Sequence, residues 1–145
     1  MARVTTEVAA PAEKIWATLS DGWSYSAWVV GTVKIREVDP HWPAVGAKLH
    51  HAFGAWPLMI QDETEVLEQE DCRRLLLQAR GWPMGEATVE LTLHPAGDHT
   101  LVEMFEAPTA GPGAWLNNPI VDAIGRKRLE ETLDRLRRLV EGSAA

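Results

Sequence analysis

A chain of 145 residues, 46% apolar and 24% charged, has the makeup of one globular domain with enough apolar side chains for a core. Its net charge of −7 lacks the basic footprint that a phosphate backbone demands, so nucleic acid is not an expected partner. No apolar run reaches the roughly 20 residues of a membrane span, no secretory h-region is visible, and the lone Cys72 forbids an intrachain disulfide or a cysteine zinc site; a reducing cytoplasm is the expected address.

Residues 2–10 alternate, with Val4, Thr6 and Val8 on one face, and predict a first strand. Pro11 then opens a helix, PAEKIWATLS, where its missing N–H leaves nothing unsatisfied, and Ile15, Trp16 and Leu19 share the buried side. Asp21 is placed to cap a short second helix, DGWSYSAW, which ends at Trp28 and Val29. After Gly31 the period becomes two. TVKIREVD, AKLHHAF, LMIQDETEVLE, CRRLLLQA, EATVELTLH and TLVEMFEA predict six more strands, most of them separated by Gly, Pro and Asp clusters. The stretch PTAGPGAWLNNP breaks the pattern as a loop. Residues 119–141 return to period 3.6, with Val121, Gly125, Leu129, Thr132, Leu133, Leu136 and Val140 on one broad apolar face. The order predicts an α+β domain in which a curved antiparallel sheet carries one long helix across its concave face.

Over essentially its whole length the chain resembles the START-like, or SRPBCC, superfamily, and within it the polyketide cyclase/dehydrase branch. The segments carrying the resemblance are VTTEVAAPAEKIWATLSD, WVVGT, WPAVGAKLHH, VLEQEDCRRLLLQAR, VEMFE and RLEETLDRLRRLVEG. The resemblance implies a single helix-grip domain over residues 1–145. In that fold a seven-stranded curved antiparallel sheet wraps around the C-terminal helix, with two short helices between strands 1 and 2. It also implies that a hydrophobic small molecule, lipid- or polyketide-like, binds in a cavity between sheet and helix. The alternative it implies is an enzyme of the polyketide cyclase/dehydratase type; a third is an accessory protein whose pocket has collapsed. No cofactor is expected, and either a monomer or a homodimer is compatible with the chain.

Strand parity decides which side chains face such a cavity, because adjacent residues point to opposite faces. His50 and His51 therefore cannot both point inward. With Ala55 and Trp56 as the turn, Phe53 meets Leu58, His51 meets Ile60 and Leu49 meets Asp62. The concave set is then Leu49, His51, Phe53, Leu58, Ile60, Asp62, Thr64 and Val66. Lys48, His50, Gln61, Glu63 and Glu65 take the solvated face. In the last hairpin, a PAGD turn places Leu91 opposite Val102, Val89 opposite Met104 and Ala87 opposite Glu106. Leu77, Val89 and Met104 join the expected ligand-contacting set, together with Val121 and Arg128 on the final helix.

Three ionisable side chains, His51, Asp62 and Glu106, are thus expected to face inward among apolar neighbours, with Arg128 a fourth. As a catalytic set, the first three would exchange protons with a bound carbonyl compound, their pKa values moved by burial and by each other. As a structural set, Glu106 pairs with Arg128, and Asp62 pairs with His51 or a backbone N–H. A third possibility is ligand orientation without chemistry. One histidine and two carboxylates would suffice for a metal, but no HxH, HExxH or cysteine pairing is present, and none is expected. Of the seven tryptophans, Trp16 reads as core, while Trp28 and Trp115 are the expected cavity walls, Trp115 from a loop able to act as a lid. Cys72, beside Arg73 and Arg74, is a candidate for a lowered thiol pKa.

Overall fold

The computed structural model describes residues 2–55, 57–115 and 118–143; the side chains of Ala55, Leu58 and Trp115 are outside that description. Trp56, and the roles expected of the Leu58 and Trp115 side chains, therefore lie outside the described residues.

Strand β1 (Ala2–Val8) leads into helix α1 (Ala12–Leu19), which buries Ile15, Trp16 and Leu19 as their spacing predicts. Pro11 occupies the N-cap, one residue before the first helical position. Asp21 accepts a hydrogen bond from the Trp23 N–H, starting a single 3-10 turn over Gly22–Ser24 that runs into α2 (Tyr25–Trp28). Six strands follow: β2 (Thr32–Val38), β3 (Lys48–Ala55), β4 (Leu58–Glu70), β5 (Arg74–Gly81), β6 (Gly85–Ala96) and β7 (His99–Ala110). All pair antiparallel in one sheet of order β1-β7-β6-β5-β4-β3-β2. The expected loop after β7 is shorter than its Pro and Gly content suggests. The strand continues to Ala110, and Pro112–Trp115 form a helical turn, α3. Helix α4 (Pro119–Gly142) has Asn118 as its cap, whose side chain accepts from the Val121 N–H.

Curvature comes from bulges. Register shifts occur between β2 and β3, between β4 and β5 at Val66/Glu68, and between β6 and β7 at Glu86/Ala87. Each extra residue bends its strand and increases the local twist, so the sheet closes around α4. Two glycines meet where the start of β6 passes the end of β7. A Cβ on Gly85, at φ +127°, would lie 2.1 Å from the Ala110 carbonyl oxygen, and one on Gly111 would lie 2.5 Å from the Gly85 Cα.

The helix buries Leu129, Thr132, Leu133, Leu136 and Val140 against the concave face. The Thr132 hydroxyl accepts from the Val30 N–H, tying the segment after α2 to the middle of α4. The predicted apolar face is thus buried only from Leu129 onward. Upstream, Ile120 and Ile124 are exposed, and Val121 and Gly125 are half-covered. Among the described residues, no helix is long and apolar enough to cross a membrane.

Both hairpins pair with a register that differs by two residues from the expected one. In β3–β4, His51 faces Asp62, Phe53 faces Ile60 and Leu49 faces Thr64. In β6–β7, Val89 faces Glu106, Leu91 faces Met104 and Ala96 faces His99, so the turn is Gly97-Asp98, with Gly97 at φ +70°. A two-residue slip preserves the face of every side chain and changes only its depth along the sheet.

Candidate functional site

Between sheet and helix lies a cavity of about 330 Å³. Its floor is the concave face. Leu49, His51 and Phe53 come from β3, Thr64 from β4, Leu77 and Ala79 from β5, Val89 and Leu91 from β6, and Met104 and Glu106 from β7. Tyr25, Trp28, Val29 and Val30 close one side and Arg128 of α4 another. Most of the floor groups are apolar because each comes from the inward parity of an alternating strand.

Nine of the expected contact residues line this space: Trp28, Leu49, His51, Phe53, Leu77, Val89, Met104, Glu106 and Arg128. Ile60, Asp62 and Val121 do not, and the register explains the first two. The depth expected for Asp62, opposite Leu49, belongs to Thr64, while Asp62 and Ile60 sit closer to the tip of the hairpin. Val121 is on the part of α4 that precedes its buried stretch. The sequence reading did not assign Tyr25, Val30, Thr64 or Ala79 to the site. Thr64 carried a visible signal, being already on the concave face; the others depend on where α2 and the middle of β5 come to lie.

Asp62 is bound by two backbone N–H groups. Its two carboxylate oxygens accept from the backbone N–H groups of Glu63 (2.8 Å) and Trp82 (3.0 Å), and so hold the β5–β6 turn against β4. The reason is positional: at that end of the sheet the Trp82 N–H lies within reach of the carboxylate. Glu106 accepts a charge-assisted hydrogen bond from the Arg128 guanidinium, bridging β7 to α4. Of the three candidates for proton exchange, His51 and Glu106 line the cavity, and Asp62 pairs with His51 across the strands without joining the lining. The carboxylates of Asp62 and Glu106 each have partners within the protein. Among the described residues, no three His, Cys, Asp or Glu side chains converge as a metal-ligand set.

His51 is 6% exposed, whereas His50 points away beside Glu63, as the parity argument predicts. One ring nitrogen of His51, Nε2, lies 3.0 Å from the Thr64 hydroxyl, and the ring tilts against Phe53 at 5.6 Å between centroids. Burial pushes the imidazole pKa below its ordinary value. The Asp62 carboxylate pulls it back, while Arg36 and His50 push it down further. A depressed pKa in the folded state means that the unfolded chain binds the proton more tightly. The stabilising contribution is therefore complete above about pH 6.5 and lost as pH falls toward the folded-state value. Urea melts from pH 8 to pH 5 should show wild type losing stability below pH 6.5 at up to about 1.4 kcal/mol per pH unit. His51→Gln should flatten that limb. Parallel curves for the two proteins would show that His51 titrates as it does in water.

Cys72 departs from expectation. It sits in the turn before β5 at φ +62°, and burial, with Glu13 and Asp71, pushes its thiol pKa up instead of down.

A seven-stranded antiparallel sheet gripping a long helix over an apolar cavity defines a START-like, helix-grip protein. The chain belongs to the polyketide cyclase/dehydrase and lipid transport family, whose model matches residues 1–141. No protein of curated function matches the sequence. Among solved structures it is similar to a protein from Chromobacterium violaceum, with 20% identity, 96% of each chain covered and a TM-score of 0.71. It is also similar to a START superfamily protein from Mycobacterium smegmatis (20% identity, 97% of this chain and 93% of that one, TM-score 0.67). A third likeness is to the di-domain ARO/CYC StfQ of the steffimycin biosynthetic pathway (14% identity, 97% of this chain and 44% of that one, TM-score 0.71). At these identities the likenesses establish the shared fold.

Proposed function

We propose that this protein binds one apolar small molecule, lipid- or polyketide-like, in the cavity between the sheet and α4. The observation that carries this is the cavity itself, about 330 Å³ and walled mainly by apolar side chains, in a fold whose helix would otherwise lie flush on the sheet. That volume is at the lower end of the range of about 300–1,000 Å³ typical of small-molecule sites, and suits a compact ligand. The family, which joins cyclase/dehydrase and lipid-transport members, supports the same reading. The acid–base alternative is less well supported, because it needs the Asp62 carboxylate, which holds backbone N–H groups outside the cavity, to act within it.

The uncharged fluorophore N-phenyl-1-naphthylamine tests the proposal. Wild type should bind it saturably, one molecule per chain, with a blue-shifted emission. Val89→Trp, which places an indole in the cavity floor, should weaken binding at least about tenfold while the protein still melts cooperatively. Equal affinity in a folded Val89→Trp variant would place the probe elsewhere and sink the reading.

A further inference from the structure

Ten large hydrophobic side chains are exposed among the described residues, and six of them lie at one end of the sheet. Val33 and Met59 stand beside the tip of the β3–β4 hairpin, Trp82 and Met84 in the β5–β6 turn, and Ile120 and Ile124 on the first turns of α4. Gly111, which leads into α3 and α4, sits against Met84 and Gly85, so the turn and the start of the helices are neighbours. Helix α4 then runs away from this end, since Glu141 near its far terminus accepts from the Ala9 N–H just past β1. Met84 is 60% exposed and also lines the cavity, so the cavity reaches the surface here. Single exposed apolar residues need no explanation, but six grouped beside an opening mark a surface that something apolar covers.

Charge distinguishes the candidate partners. The chain as a whole is acidic, at −7, and the turns at the opposite end, β2–β3, β4–β5 and β6–β7, carry Asp39, Asp71 and Asp98 against the single cation Arg73. At the apolar end the signs reverse. The first ten residues of α4 hold Arg126, Lys127 and Arg128 against Asp122, and the first five of β2 hold Lys34 and Arg36 without an acid. Lys34, Arg36, Arg126 and Lys127 are all exposed. Ile120, Ile124 and Lys127, spaced i, i+4 and i+7, share the face of α4 turned away from the buried Leu129 and Leu136. An apolar tip with cations one turn behind it suits a membrane interface. The apolar groups enter the acyl boundary while the lysine stem reaches back to the phosphates. A second copy fits poorly, because a two-fold pairing of this end would set its cations against one another.

We infer that this end of the molecule docks on an anionic lipid surface, with the opening of the cavity turned toward the bilayer. Attraction of the cationic end and repulsion of the acidic one orient the approach. The two isoleucines, 73% and 65% exposed and outside the cavity lining, then hold the contact, so the docking adds to the binding proposed above and stands on different side chains.

Co-sedimentation with extruded vesicles at low ionic strength tests the docking. Wild type should bind vesicles of phosphatidylcholine and phosphatidylglycerol in equal parts at least about fivefold more tightly than vesicles of phosphatidylcholine alone, and added salt should narrow the difference. Ile120→Asp combined with Ile124→Asp should weaken binding to the mixed vesicles at least about tenfold. Both positions are exposed, so this variant should keep wild-type melts and, without lipid, wild-type affinity for N-phenyl-1-naphthylamine. Lys127→Glu should weaken binding to the mixed vesicles alone. Val45→Asp, an exposed change at the acidic end, should alter nothing. No binding to mixed vesicles, equal binding to both kinds, or equal losses in the Val45 and isoleucine variants would each overturn the docking. So would a wild-type dimer in sedimentation equilibrium that the isoleucine variant abolishes, which would give this face to a second copy. Failure of the fluorophore to bind, with vesicle binding intact, would sink the cavity reading and leave the docking standing.

Discussion

Trp28→Ala is expected to lower the free energy of unfolding by about 3–5 kcal/mol, the range for removing a large aromatic from a core. Trp28 is 1% exposed at the end of α2, its ring 4.5 Å from that of Tyr25, and its other side forms part of the cavity. Truncation would both strip these contacts and merge a new void with the existing one. The fluorophore should lose affinity along with stability, because the wall against which it packs is gone. Trp23, five residues earlier and 57% exposed, supplies the internal comparison, and Trp23→Ala should change stability by no more than about 0.5 kcal/mol. Urea melts of the three proteins, compared through midpoints at a common slope, measure the difference. A loss below about 1 kcal/mol for Trp28→Ala would mean that α2 is not part of the packed core.

Glu106→Gln is expected to destabilise the fold by about 1–3 kcal/mol. The side chains of Glu106 and Arg128 are 21% and 35% exposed, which places the pair between two regimes. Fully exposed pairs contribute about 0–1 kcal/mol, and breaking a fully buried one costs about 3–5 kcal/mol. Most of the loss would come from leaving the guanidinium beside apolar neighbours without its carboxylate, not from the attraction itself. The double variant Glu106→Leu with Arg128→Met should therefore be more stable than Glu106→Gln, since it removes both charges together. If Glu106 instead served a ligand, Glu106→Gln would leave the melts unchanged and weaken probe binding. A double-mutant cycle read by both melts and probe titration discriminates the two.

The sequence made faces legible but not depth. Alternation placed His51 inward and His50 outward, because the apolar set on one side of β3 and the polar set on the other leave only one parity that fits. It could not fix pairing to within two residues, since a two-residue slip exchanges one inward side chain for another and leaves the pattern unchanged. That ambiguity is what put Asp62 where Thr64 stands. The Glu106–Arg128 pair emerged from a different kind of reasoning: an inward carboxylate on β7 needs a cation, and the nearest one on the helix face is Arg128. The contributions of Tyr25 and Val30 were not legible, because they depend on how α2 docks against α4, a tertiary contact with no periodic trace in the chain. The helical turn at Pro112–Trp115 was hidden for a related reason. Pro and Gly there mark a break in the strand pattern, and a single turn is too short to show a period.

The strand order also bears on how the molecule is made. β1 pairs with β7, joining Ala2 to Glu106 and Val8 to Thr100, whereas β2 through β7 are each joined to the next along the chain. The ladder from β2 to β7 can therefore assemble hairpin by hairpin as the polypeptide leaves the ribosome. The first strand must remain unpaired until roughly a hundred further residues have been synthesised. Closing a loop of that length adds an entropic penalty that grows only slowly with length, but the edge of β7 stays open until it is met. This one distant pairing raises the average sequence separation of the contacts, and larger separations go with slower folding.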